Sequence, residues 1–248
     1  MSTEITNPFG SSAILGNREE MAKRAAASAA TVPSAGGAPD GSDFLSFSGK
    51  RGLYTVGKDK RQIQPDELWL LNVASFEDGW VCWKGGKPIA KRTYNIYTGT
   101  PVERPASDEL GPFDDKSGWS ACKCWVSKSI DNDQQGFFEV TSISGVSEMA
   151  SMIEEVSRRM AVGLPCWPLF HYDMKEFSAQ GHKNFKPDFK VYGWLDDDAV
   201  GKVADPSADV DELIKASAGI KSVASDENSD DADASEDTPS PRRRRSAS

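Results

Sequence analysis

The stretch GWVCWKGGKPIAKRTYNIYTG, residues 79–99, sets Trp80, Trp83, Tyr94 and Tyr97 among Lys84, Lys87, Lys91 and Arg92. Aromatic rings stack on nucleobases whatever their identity, worth ~1–3 kcal/mol per base, while ammonium and guanidinium groups follow the phosphates. Side chains alternate across a strand, so Lys91, Thr93, Asn95 and Tyr97 are expected on one face and Arg92, Tyr94 and Ile96 on the other. The glycine pair in KGGKP is a strong hairpin signal, and it puts Lys84 and Lys87 at the tip, where they could clamp a backbone. The plainer reading has the rings in the core and the lysines keeping the sheet surface solvated.

Two further stretches carry the same mixture. Lys50, Arg51, Lys58, Lys60 and Arg61 gather around Tyr54. GHKNFKPDFKVYGWL places Lys183, Lys186 and Lys190 among Phe185, Phe189, Tyr192 and Trp194, with Pro187 arguing for a strand edge or start. The competing reading of that segment is an ordinary closing strand.

Other chemistries find less support. Cys122 and Cys124 would share a strand face, with Cys82 and Cys166 elsewhere, but zinc sites usually use a C-x₂₋₄-C knuckle. Buried free thiols are the default, and no metal or cofactor is expected. The two histidines, His171 and His182, come with no Gly-rich phosphate loop, nucleophile elbow or H-E-x-x-H. Glu154 and Glu155 fall on an exposed helix face, and DELGPFDD supplies acids without recognisable metal-ligating partners. A non-enzymatic protein is expected.

Charge is segregated along the 248 residues, so the net −9 describes no single surface. Residues 44–195 carry 19 basic and 19 acidic side chains, while residues 196–237 carry 14 acidic and 3 basic ones. Arg242 to Arg245 follow. Every tryptophan and tyrosine lies within residues 44–195, whereas residues 1–43 and 196–248 are too poor in apolar groups to offset the entropy of ordering them. The expected organisation is a flexible segment 1–43, a domain 44–195 and a disordered acidic tail 196–248 ending in the arginine cluster. No signal peptide or membrane-length apolar run is visible, so a cytoplasmic protein with reduced thiols is expected.

The domain reads mainly as strands. FLSFSG, RGLYTVG, ELWLLNVASF, GWVCW, IAKRTYNIY, ACKCWVSKSI, GFFEVTSISG, CWPLFHYDM and DFKVYGWL have strand patterning, with DNDQQ as a second hairpin turn and KEFSAQGHKNFKP as a loop. One clear helix spans 146–160, with Ser147 as N-cap, Met149, Met152, Ile153, Val156 and Met160 on its apolar face, and Gly163 and Pro165 beyond its end. Residues 14–30 could form a short helix. The fold expected is β-rich α+β: an OB-like antiparallel barrel with one helix.

In organisation, residues 44–237 resemble bacteriophage single-stranded DNA-binding proteins. The matching features are GWVCWKGGKPIAKRTYNIY, KNFKPDFKVYGWL and the acidic SDENSDDADASED. The resemblance implies a protein that coats single-stranded DNA in replication, recombination or repair, that can self-associate, and whose acidic tail competes for the groove or recruits replication or recombination proteins. The ending RRRRSAS departs from the acidic-then-apolar terminus of that class. Two other classes stay open: a noncatalytic adaptor or DNA-mimic inhibitor of a host nucleic-acid enzyme, and an enzyme of nucleic-acid metabolism.

Overall fold

A single strand of 17 residues, β4 (Leu68–Lys84), organises the molecule. Our structure is a computed structural model describing residues 22–24 and 42–219, except 116, 133, 180, 204 and 206. The sequence suggests two strands where β4 runs as one. Between Asn72 and Glu77 the register slips, and side chains replace the interrupted ladder. Asn72 Oδ1 accepts from the Ala74 amide at 3.1 Å, and Ser75 Oγ accepts from the Val126 amide at 2.8 Å. The slip lets one strand bend through two halves of the sheet.

Around β4 stand β1 (Asp43–Ser48), β2 (Leu53–Val56), β3 (Arg61–Gln62), β5 (Lys87–Asn95), β6 (Gly118–Ser129), β7 (Gln135–Val140), β8 (Trp167–Ala179) and β9 (His182–Leu195). They form one nine-stranded sheet in the order β3-β2-β1-β7-β6-β4-β8-β9, with β5 on the far half of β4. The sheet curls into an open half-barrel, so the mainly β expectation holds. All its pairings are antiparallel except that of β1 with β7, which is parallel. The expected KGGKP hairpin forms: Gly85 and Gly86 have φ of 58° and 74°, the left-handed pair that a two-residue turn matching strand twist requires.

Helix α1 (Ile143–Ala161) buries Met149, Met152, Ile153, Val156 and Met160, the stripe expected from their spacing. Its N-cap is Ser142 rather than Ser147: Ser142 Oγ accepts from the Gly145 amide at 3.2 Å. The last turn closes through the Gly163 and Leu164 amides, with Gly163 at φ 69°.

Three expectations are corrected. The segment KEFSAQGHKNFKP is not a loop: β8 and β9 pair continuously from Trp167↔Leu195 to Ala179↔His182. The boundary at 195 is too early, because α2 (Asp197–Lys202) and α3 (Val210–Gly219) follow it among the described residues. They are acidic but anchored. Trp167 Nε1 donates to Asp197 at 2.7 Å, Tyr192 Oη donates to Asp211 at 2.8 Å, and Ile214 packs against Gly193 so closely that a Cβ there would sit 2.4 Å from it. Residues 22–24 are helical, Ala22 is buried in the core, and Arg24 donates to the Tyr97 carbonyl at 2.8 Å, so segment 1–43 is not wholly detached. The rest of the expected helix 14–30, and the acidic run and arginine cluster beyond 219, lie outside the described residues.

The core is unusually aromatic. Trp125 packs against Phe76, Phe138, Phe170 and Phe189 with centroid separations of 4.7–6.2 Å. Its indole N–H finds Tyr172 Oη at 3.1 Å, which in turn meets Ser127 Oγ at 2.8 Å, so the buried polar tips satisfy one another. No helix among the described residues is long and apolar enough to cross a membrane.

Candidate nucleic-acid interface

Most of the rings in the 79–99 stretch are in the interior. Trp80 and Tyr94 are 7% exposed, Tyr97 is 6% exposed, and Tyr54 is 4% exposed; only Trp83 is half-buried. The alternation expected for Tyr94 and Tyr97 fails for a local reason. Strand β5 ends at Asn95, whose Oδ1 accepts the amides of Tyr97 and Thr98, and that turn carries Tyr97 back onto Phe76. Burial pushes the phenols of Tyr54 and Tyr97 well above their ordinary range. Tyr54, Tyr94 and Tyr97 belong to the main core and are not stacking platforms, whereas Trp80 lies in a small separate cluster with Cys82 and Trp119.

The cations of that stretch are mostly engaged. Lys91 pairs with Glu139 at 2.5 Å and lies 5.0 Å over the Phe137 ring. Arg92 pairs with Glu109 and lies 4.9 Å over Trp119. Lys84 and Lys87 are exposed at the hairpin tip. In the second cluster, Lys58 and Lys60 are exposed on the β2–β3 turn, but Arg61 is clamped by both Glu67 oxygens at 2.8 and 2.9 Å and by Gln134 at 2.8 Å. Burial alone would raise the Glu67 carboxyl; Arg61 and Asn132 outweigh it and hold the acid below its usual range.

A different pair of stretches comes together. The Phe185 amide donates to the Gly49 carbonyl at 2.8 Å, docking β9 onto the β1–β2 turn. Gly52, at φ 62°, sits under Met174 and Phe185, where a Cβ would meet Met174 Sδ at 2.2 Å. Exposed Lys50 and Arg51 on that turn therefore stand beside the β8–β9 ribbon.

Register sorts the ribbon's faces, since directly paired residues point the same way. Lys175↔Lys186, Phe177↔Asn184 and Ala179↔His182 share one face. Glu176↔Phe185 and Ser178↔Lys183 share the other, which meets the turn. Phe177 is 39% exposed and lies between the Lys175–Lys186 pair and His182. Lys183 stands 5.3 Å from the Phe185 ring centroid.

No known protein family, curated protein or solved structure matches this chain.

The ribbon's cations have carboxylate neighbours: Lys175 with Asp188 at 2.7 Å, Lys183 with Glu176 at 2.5 Å, Lys186 with Glu148, and Lys190 with Asp173. Donating a hydrogen bond to the Asp188 carboxylate raises Lys175, and donating to the Asp173 carboxylate raises Lys190. A pair exposed on both sides, such as Lys183–Glu176, contributes about 0–1 kcal/mol, so a phosphate can replace that carboxylate at little cost. Of the cations expected at the site, Lys183, Lys186 and Lys190 thus lie on one ribbon docked on the Lys50–Arg51 turn, while Lys58, Lys60, Lys84 and Lys87 are on separate turns. Reading 175–187 as a loop hid Phe177 and Lys175; the alternation in MKEFSA facing KNFKP was the signal.

All four cysteines are buried with free thiols, and burial raises those of Cys82 and Cys124. Among the described residues no group of three or more His, Cys, Asp or Glu could hold a metal ion.

Proposed function

We propose that the protein binds single-stranded DNA without sequence preference and without catalysis. The contact surface is the β8–β9 ribbon with the β1–β2 turn, in place of the β4–β5 hairpin. The observation that supports this reading is exposed Phe177 beside the Lys175–Lys186 pair, on a ribbon whose other face docks on the turn that bears Lys50 and Arg51. A ring flanked by cations offers stacking to a base and charge to its phosphates. The open half-barrel is the kind of frame that presents such strands to a chain. On this reading the protein coats exposed strands in replication, recombination or repair in the host cytoplasm, alone or as a homo-oligomer, with the acidic tail engaging replication or recombination proteins.

Fluorescence anisotropy of labelled oligothymidylate tests it. The five cations of the ribbon and turn (Lys50, Arg51, Lys175, Lys183 and Lys186) are spread over two faces, so together they set only an upper limit of about −3.5 on the slope of log affinity against log salt. Replacing Lys175, Lys183 and Lys186 by Gln should flatten that slope. Because Trp69, Trp80 and Trp125 are buried, intrinsic tryptophan emission should change little on binding at the ribbon.

The adaptor or inhibitor reading is favoured by one observation: Lys91, Arg92, Lys183, Lys186 and Lys190 each have a carboxylate neighbour, which leaves a charge-balanced exterior there. It predicts no oligonucleotide binding and a stable complex with a basic protein.

A further inference from the structure

Strands β5 and β6 flank the same half of β4, opposite residues 77–84, and both run antiparallel to it. They are therefore parallel to each other, and parallel strands need a crossover. The connection, residues 96–117, has to travel back along β4 from Glu77 to Trp83. It does so over the face that bears Trp80 and Trp119, which are 7% and 9% exposed and form a small apolar cluster with Cys82. The buried Asp78–Lys123 pair stands at the next positions along that face, between this cluster and the main core, so the cluster is a separate unit.

The crossover holds this face with a few polar contacts. Arg92, stacked over Trp119, binds the Glu109 carboxylate, and Trp119 Nε1 donates to the Glu109 carbonyl at 3.0 Å. Arg104 lies 5.0 Å from the Trp80 ring centroid. Trp80 Nε1 is buried without a hydrogen-bond partner. Two indoles, two guanidinium groups and an anion bound to one of them, Arg92, are the components of a stacking site for a nucleotide.

We infer that residues 99–113 are a displaceable cover over a second single-strand contact, in which the Glu109 carboxylate occupies the place of a phosphate. The contact consists of Trp80 and Trp119 for stacking and Arg92 and Arg104 for charge. This rests on the single-strand reading above, but it concerns a different surface from the ribbon.

The test uses the full chain and labelled oligothymidylate, with Glu109→Gln as the variant. Losing an anion that competes at a half-exposed pair should tighten binding about two- to fivefold. It should also add tryptophan quenching by the oligonucleotide that the parent lacks. Without DNA, acrylamide should quench the variant's tryptophans more strongly. Trp119→Phe in the Glu109→Gln background should abolish both gains upon DNA addition. Affinity and quenching equal to the parent's would overturn the cover, even if acrylamide access rises. The ribbon reading is judged separately: if the parent binds and its Lys→Gln ribbon variants lose affinity, that reading stands whatever Glu109→Gln does. Binding by Glu109→Gln alone would support the cover and remove the ribbon, and binding by neither would remove both.

Discussion

Tyr54 Oη donates a hydrogen bond of 2.8 Å to the Asp173 carbonyl, joining positions 119 residues apart. Tyr54 lies on β2 and Asp173 on β8, each one strand in from an end of the sheet order. With the Phe185–Gly49 bond, this contact draws the two ends of the half-barrel together and sets the ribbon against the basic turn. The Tyr54 ring packs on Phe47, Phe138 and Tyr172 at 4.6–5.8 Å, so its body is core and its hydroxyl is a clasp. Tyr54→Phe should therefore cost about 1 kcal/mol in urea unfolding. Oligonucleotide affinity should not change under native conditions, because the ring itself contacts no ligand.

Among the described residues the Asp78–Lys123 pair is deeply enclosed, at 2.8 Å with side chains 2% and 5% exposed. Removing one charge strands the other in an apolar site. Asp78→Ala should destabilise by about 3–5 kcal/mol, and the double variant with Lys123→Met should recover a large part of the loss. A denaturation cycle over the parent, both single variants and the double variant measures the coupling; simple additivity would contradict it.

Acid should weaken the Arg61–Glu67 clamp. Glu67 has a folded-state pKa below its unfolded value, so it contributes stability that is fully present above the ordinary glutamate range, about pH 4.3. That contribution is lost as pH falls through the folded value. Glu67→Gln should lower stability by about 1.5–3 kcal/mol at neutral pH. The gap between variant and parent should close on acidification, as read by urea midpoints at a series of pH values.

The thiols should be inert in the native state. All four are buried, and burial keeps Cys82 and Cys124 protonated beyond the usual thiol range, while the thiolate is the reactive form. Ellman's reagent at pH 8 should label none of them quickly, and denaturant should release all four. Fast labelling of Cys122 or Cys124 would show that this part of the sheet is open.

Local signals carried much of the fold. The helix stripe from Met149 to Met160, the Gly85–Gly86 turn and the β-rich pattern were legible because each depends on neighbouring residues. The burial of Trp80, Tyr94 and Tyr97 was not legible. A ring beside a lysine reads the same whether a crossover such as 96–117 covers it or solvent does, and that depends on strand order. The ion pairs were hidden for the same reason: Glu139 meets Lys91, and Glu148 meets Lys186, only after the sheet has folded. Acidic α2 and α3 escaped notice because composition argued for disorder, whereas Ile214 packing on Gly193 and capping by Asp196 tie them down. Lys183, Lys186 and Lys190 were visible; Phe177, Lys175 and the docking of the ribbon on the turn that bears Lys50 and Arg51 were not.

The central claim is that the ribbon carries the strand. It is tested most directly by anisotropy titration of labelled oligothymidylate against the full chain and Phe177→Ala, each at two salt concentrations. The parent should bind in a salt-sensitive way, and the variant should lose ~1–3 kcal/mol of binding with folding unchanged. Equal affinity for the parent and Phe177→Ala, or no binding by the parent at low salt, would contradict it.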